Sequence, residues 1–188
     1  MKEIKIGQYN TLTVTKAVDF GLYLDGGDVD EGGWGNILLP ARYVPADTAI
    51  GDEITVLIYF DSEDRIIATT EKPKATVGEF AFLRVVDVNK VGAFLDWGLP
   101  KDLLVPYIQQ ANKMQKGAYY VVYVYQDEES ERVTASARLS RFLDKTPADY
   151  PQWEKLNGLI MAKTDLGYKV IIENAHTGML YHNEVFTN

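Results

Sequence analysis

Apolar and polar residues alternate with a period of two through short segments, and the segments are separated by glycine, proline and acidic turns, which is the signature of strands with one buried face. Asn10–Val18 alternates β-branched and polar residues, and Phe20–Asp25 follows as a second strand. Asn36–Pro40 is a third strand closed by its proline, Glu53–Phe60 a long fourth, and Arg65–Thr69 a fifth after the turn Asp61–Asp64. The same script then repeats at Phe80–Val88, Gly92–Trp97, Asp102–Val105, Ala118–Tyr125 and Arg132–Ala137. The two copies are offset by 71 residues at Gly21/Gly92 and by 66 at Pro40/Pro106 and Asp61/Asp127. The five-residue difference falls in the Gly-rich segment Asp25–Gly35, where a hairpin loop absorbs it.

A third copy is partial. Asn157–Lys163, Gly167–Ile172 and Gly178–His182 repeat strands one to three, and no residues follow for strands four and five. Three such strands leave open edges, which sheets rarely expose. The tail is therefore expected to pack on the second repeat, to pair with another chain, or to belong to a longer protein. Ser140–Pro151 reads as a linker stiffened by its two prolines and its aromatics. Between strands three and four, Tyr107–Met114 predicts one or two helical turns. Pro45 makes the matching stretch of the first repeat a poorer helix former.

Five strands with a variable segment between the third and fourth is the plan of an OB-fold barrel, whose second and third strands face oligonucleotides. The expected fold is all-β: tandem five-stranded OB-fold barrels at residues 1–72 and 77–140, with a partial third copy at 152–188. Each copy carries its own full strand set, so the two barrels are expected to close without exchanging strands.

Composition narrows the function. A net charge of −8 and a pI near 4.8 exclude a protein that holds nucleic acid by a basic field over its whole surface. Stacking on aromatic side chains remains open, at about 1–3 kcal/mol per base without regard to net charge. No apolar run long enough to span a membrane is present, and the charged start Met1–Ile6 does not resemble a secretory signal. With no cysteine in the chain, disulfides and thiolate chemistry are excluded, and a reducing, cytoplasmic location is expected. The acidic loop Asp25, Asp28, Asp30 and Glu31 lacks the spacing of a calcium-binding loop and reads as a solvated hairpin. His176 and His182 are the only histidines, which leaves little material for acid–base catalysis. No metal, no cofactor and no enzymatic activity are expected.

The motif Gly-x-Phe/Tyr-Leu-Asp, a short loop, Leu-Leu/Val-Pro, and then Gly-x-x-x-x-Val-x-Val running into Asp and Arg resembles the S1 RNA-binding domain. The tandem arrangement with its Leu-Pro third strand is similar to the conserved virulence factor B family. The resemblance implies an RNA face of two aromatics around the strand-two glycine, a strand-three residue that is often His, and an Asp with a following Arg after strand four. Carried onto this chain, it implies Phe20, Tyr23, Asp61 and Arg65 in the first repeat, with Leu39 at the His position. In the second repeat it implies Phe94, Asp127 and Arg132, with Val91 and Val105 at the first aromatic and His positions. In the third, Leu166 and Lys169 occupy the aromatic positions and Tyr181 the His position. The expected partner is single-stranded RNA, in a regulator of RNA or translation.

Two features of the residues stay open. Phe20, Tyr23 and Phe94 are either stacking groups or barrel core and rim, since strand aromatics are often buried. Phe20 and Tyr23, three apart, share a face only if the chain departs from alternation, for which a bulge at Gly21 is the expected device. Likewise Lys16, Arg42, Arg65, Lys90, Arg132 and Arg138 either form local positive grooves or balance nearby carboxylates. The alternative reading is a protein-interaction module that presents strand edges or the loops of Trp34, Trp97 and Trp153 to a partner.

Overall fold

The computed structural model describes residues 3–185. The first barrel consists of β1 (Tyr9–Val18), β2 (Gly21–Asp25), β3 (Asn36–Pro40), β4 (Glu53–Phe60) and β5 (Ile66–Thr69), closed in the order β1-β2-β3-β5-β4. The second is built from β6 (Phe80–Val88), β7 (Gly92–Leu95), β8 (Leu103–Pro106), β9 (Tyr119–Gln126) and β10 (Val133–Ser136), closed in the order β10-β8-β7-β6-β9. All neighbours are antiparallel except β3 with β5 and β8 with β10. Each barrel closes on its own strands.

One strand makes closure possible by serving two partners. Residues Tyr9–Thr13 of β1 pair with β4, and Val14–Val18 pair with β2. The ladder skips Thr15 between the pairs Val14/Leu24 and Lys16/Tyr23. Such a bulge bends the strand and increases its twist, so a single 10-residue strand turns the barrel's corner. The same slip recurs between Val85 and Asp87 in β6.

Alternation sends Leu12, Val14, Leu22, Leu24, Ile37, Leu39, Val56 and Ile58 into the first barrel, each no more than 8% exposed. Leu83, Val85, Leu95, Leu103, Val105, Val122 and Val124 fill the second. Burying an aliphatic side chain of this size stabilises by about 1.5–3 kcal/mol.

The outward faces of the fourth strands are also covered. Leu57 and Tyr59 of β4 are buried against the second barrel, where the Tyr59 ring meets Trp97 edge-on at 6.0 Å. Trp97 Nε1 donates to the Ala75 carbonyl at 2.6 Å. At the matching positions of β9, Tyr123 and Tyr125 stack on Phe142 of the linker, with ring centroids 4.2 and 5.6 Å apart. Each barrel thus presents the same face to the next unit of the chain.

After the second barrel the chain forms a three-stranded meander of β11 (Gly158–Lys163), β12 (Gly167–Ile172) and β13 (His176–Tyr181). It packs on the second barrel through Ile171, Phe80 and Leu139. Asn174 stitches the contact: its Oδ1 accepts from Phe80 N–H and its Nδ2 donates to the Gly78 carbonyl, both at 2.7 Å. The tail thus packs on the second repeat, as one of the three expectations had it.

The segments after strand three depart from expectation. The second repeat has a single 3-10 turn at Tyr107–Gln109, and the first has the same turn at Ala41–Tyr43. In both, a proline immediately before the turn fixes φ near −58° and starts it. Pro45 lies beyond the turn and does not disturb it.

Candidate nucleic-acid interface

The first barrel carries an open outward face. Lys16 pairs with Tyr23 across β1 and β2, Tyr23 with Leu38 across β2 and β3, and Leu38 with Ile67 across β3 and β5. Cross-strand partners share a face, so these four residues form one row. Phe20 joins it from the tight turn before β2, 58% exposed, with its ring 6.3 Å from that of Tyr23 and at 88° to it. The two aromatics do come together.

The device that unites them is not the expected bulge at Gly21, since the bulge lies on the neighbouring strand at Thr15. Phe20 precedes the strand, so the turn sets its direction and alternation does not apply. Its carbonyl accepts from Ala41 N–H at 2.9 Å, which pins the turn to the end of β3. Gly21 allows this close approach. A Cβ there would lie 2.2 Å from the Leu39 carbonyl oxygen, and Gly92 and Gly167 meet the same constraint at 2.3 and 2.1 Å.

At the far end of the row, Asp61 organises the β4–β5 turn. Its Oδ1 accepts from the backbone N–H groups of Glu63 and Arg65 at 2.8 and 3.0 Å, and its Oδ2 from Arg65 Nε and Nη2 at 3.0 and 2.8 Å. Burial pushes the carboxyl up, but the hydrogen bonds from Arg65 and Glu63 outweigh it and hold Asp61 below the ordinary carboxylate value. Arg65 also pairs with Glu63 at 2.9 Å and keeps a largely exposed guanidinium. Lys16 and Arg42 form no ion pair among the described residues.

The second barrel has the same frame with different contents. Phe94 pairs with Asp87 and Leu104, so a carboxylate stands where the first barrel has Lys16. Lys116 is 3.3 Å from that carboxylate. Val91 is exposed at the position of Phe20. Asp127 again caps its turn, and the backbone and hydroxyl bonds from Ser130 hold it below the ordinary value. Arg132, however, does not return to Asp127. Its Nη2 donates to Asp64 of the first barrel at 2.5 Å. The Asp-to-Arg interval is four residues in the first repeat and five in the second, and the extra residue carries the guanidinium across the junction.

Other expected positions move in register. Leu39 and Val105 are fully buried in their cores, so the outward residues of strand three are Leu38 and Leu104. Tyr181 pairs with Gly167 as Pro40 pairs with Gly21, which places it at the proline position; it is 47% exposed. Leu166 is exposed, with Lys169 on the next strand pair. Three residues beside these faces lie outside the resemblance: Lys101 and Tyr59, which line a groove at the junction of the barrels, and Tyr107. Tyr107 is exposed on the second barrel, and its hydroxyl donates to the Asn89 carbonyl at 2.6 Å.

The tryptophans divide. Trp97 is buried at the junction, Trp34 packs edge-on against Phe60 at 5.7 Å, and Trp153 alone of the three is 91% exposed. A concavity of about 480 Å³ beside Trp34 is walled by Glu3, Asp28 and Glu31, a lining that repels phosphate.

Two closed five-stranded barrels with this strand order define tandem OB-fold modules. The chain belongs to the S1 domain family, whose model matches residues 6–71 and again 77–136. It is 37% identical over 100 residues to the uncharacterized protein YitL of Bacillus subtilis, covering 53% of this chain and 32% of that protein. It is 27% identical over 117 residues to conserved virulence factor B of Staphylococcus haemolyticus, covering 60% of this chain and 39% of that one. The matched stretches therefore span about a third of these relatives. The fold resembles the crystal structure of a multidomain protein with nucleic acid binding domains from Streptococcus pneumoniae, with a TM-score of 0.61 at 19% identity over 97% of this chain and 64% of that one. Among the described residues, no helix is long and apolar enough to cross a membrane.

Proposed function

We propose that this chain binds single-stranded RNA on the outward face of the first barrel and acts as a regulator of RNA or translation, as a binder and not as a catalyst. The observation that carries the reading is the Phe20–Tyr23 pair, an exposed ring at right angles to a half-buried one on a face flanked by Lys16, Arg42 and Arg65, in a chain whose net charge is −8. A base has a π-face to offer such a pair whatever its identity. Membership of the S1 domain family and the fold shared with a protein described as having nucleic acid binding domains support it.

The test is fluorescence anisotropy of a labelled mixed-sequence single-stranded RNA with the full chain at about 50 and 200 mM salt. Stacking predicts modest affinity and a shallow salt slope, at about −0.7 per phosphate contact for two or three contacts. No binding, or equal binding of duplex with a steep slope, would overturn the proposal.

A protein partner is the second reading. Phe82 and Tyr119 favour it, being exposed and stacked at 5.2 Å on the second barrel.

A further inference from the structure

The row Lys16–Tyr23–Leu38–Ile67 does not end in open solvent. Beyond Ile67 lies a groove of about 320 Å³ at the junction of the barrels, lined by Leu38, Ile67 and Tyr59, by the cations Arg42, Arg65 and Lys101, and by Asp61, whose carboxylate is already engaged by Arg65. Lys101 comes from the second barrel, in the loop between β7 and β8. Its Nζ donates to the Asp61 carbonyl at 2.7 Å and stands 3.9 Å from Asp64 Oδ1. An ammonium has three donors, and this is its one hydrogen bond among the described residues.

The three cations are held differently. Asp61 and Glu63 fix the plane of Arg65, and Arg132 shares Asp64 with Lys101. The Arg42 guanidinium lies 4.6 Å over the Tyr43 ring and pairs with no carboxylate among the described residues. Burial pushes the Lys101 ammonium below its ordinary value, while Asp64 pulls it up and Arg132 pushes it down. An anion in the groove would restore the stabilisation that burial removes.

We propose that this groove holds a backbone phosphate of the RNA strand whose bases stack on Phe20 and Tyr23, so that the site is built by both barrels and Lys101 is the second barrel's contribution. The inference rests on the reading of the first-barrel face given above. From β1 to β5 the row crosses three inter-strand spacings of about 4.8 Å each, roughly 14 Å in all, and a single strand on an OB fold covers about 4–16 nucleotides. One short strand therefore reaches both the aromatic pair and the groove. Arg65 and Lys101 keep donors beyond those used within the protein, and Arg42 pairs with no carboxylate among the described residues.

The experiment measures binding of a labelled single-stranded RNA to the full chain at low and high salt for Lys101→Met, Arg42→Met and Lys116→Met. The first two should each weaken binding about 3- to 10-fold at low salt and flatten the salt slope by about 0.7, the share of one phosphate contact. Lys116→Met, whose lysine faces Asp87 away from the groove, should change neither. Circular dichroism checks folding, and Arg42→Met carries the test if Lys101→Met loosens the junction, because Arg42 belongs to the first barrel and takes no part in the ion pairs that cross to the second. Parent-like slopes for both groove variants, with binding still lost in the double variant Phe20→Ala/Tyr23→Ala, would overturn the groove and leave the stacking face standing. Undiminished binding in that double variant would overturn the face as well.

Discussion

The two barrels share a frame, a bulge and a strand-two glycine, yet differ in the charged and aromatic residues set around that frame. Where the first has Lys16, Phe20 and an Arg65 kept at its own turn, the second has Asp87, Val91 and an Arg132 spent on the junction. The inward positions of the paired strands, by contrast, are aliphatic in both. Closing a barrel demands a particular inward pattern, while the outward face is free to vary. One barrel therefore carries the candidate site, and the other serves as a brace that fixes the site's far edge.

The largest effect should come from removing the brace. Trp97→Ala deletes a buried ring that contacts Tyr59 and holds the Ala75 carbonyl, and it should cost about 3–5 kcal/mol in urea denaturation. Separate unfolding of the two barrels in that variant would show that Trp97 couples them. A loss below about 1 kcal/mol, far short of the usual cost of a buried Trp, would mean that the junction does not brace anything.

Next are the two turn aspartates. Asp61→Asn and Asp127→Asn should each cost about 1–3 kcal/mol, because each carboxylate satisfies several turn donors. Only Asp61→Asn should also weaken RNA binding, since only Asp61 orients an arginine. The pH dependence follows from the sign of the shift. Asp61 is held below its unfolded value, so its contribution is present above about pH 4 and is lost as pH falls through the folded value. The gap between Asp61→Asn and the parent should shrink on acidification below about pH 4. A gap that stays constant down to about pH 2 would contradict the assigned hydrogen bonds.

The smallest effect belongs to the ion pair across the junction. A double-mutant cycle on Asp64→Asn and Arg132→Met should give a coupling of about 0.2–1 kcal/mol, since both groups are half exposed. Addition of about 1 M salt should erase most of it.

These contrasts explain what the sequence could disclose. The spans Asn36–Pro40, Glu53–Phe60, Phe80–Val88 and Gly167–Ile172 are legible to the residue, because alternation bounded by Gly, Pro or Asp reports strand and turn directly. Parity is harder to read. Leu38 and Leu39 are chemically equal, and only pairing with Ile67 shows that Leu38 faces out. The meeting of Phe20 with Tyr23 is legible as residues but not as geometry, because a turn residue obeys no period. The longer interval before Arg132 is visible as a change of offset. Its consequence is not, because the partner Asp64 lies 68 residues away. Lys101 and Tyr59 escape for the same reason: a site shared between barrels leaves no local motif.

The most direct test of the asymmetry compares binding of one labelled single-stranded RNA by Phe20→Ala/Tyr23→Ala and by Phe94→Ala, each confirmed as folded by circular dichroism. The account predicts a loss of about 2–5 kcal/mol for the double variant, if each ring stacks a base, and a smaller loss for Phe94→Ala, whose ring has Val91 where the first barrel has Phe20. Parent-like binding by the folded double variant, or an equal loss in Phe94→Ala, would contradict it.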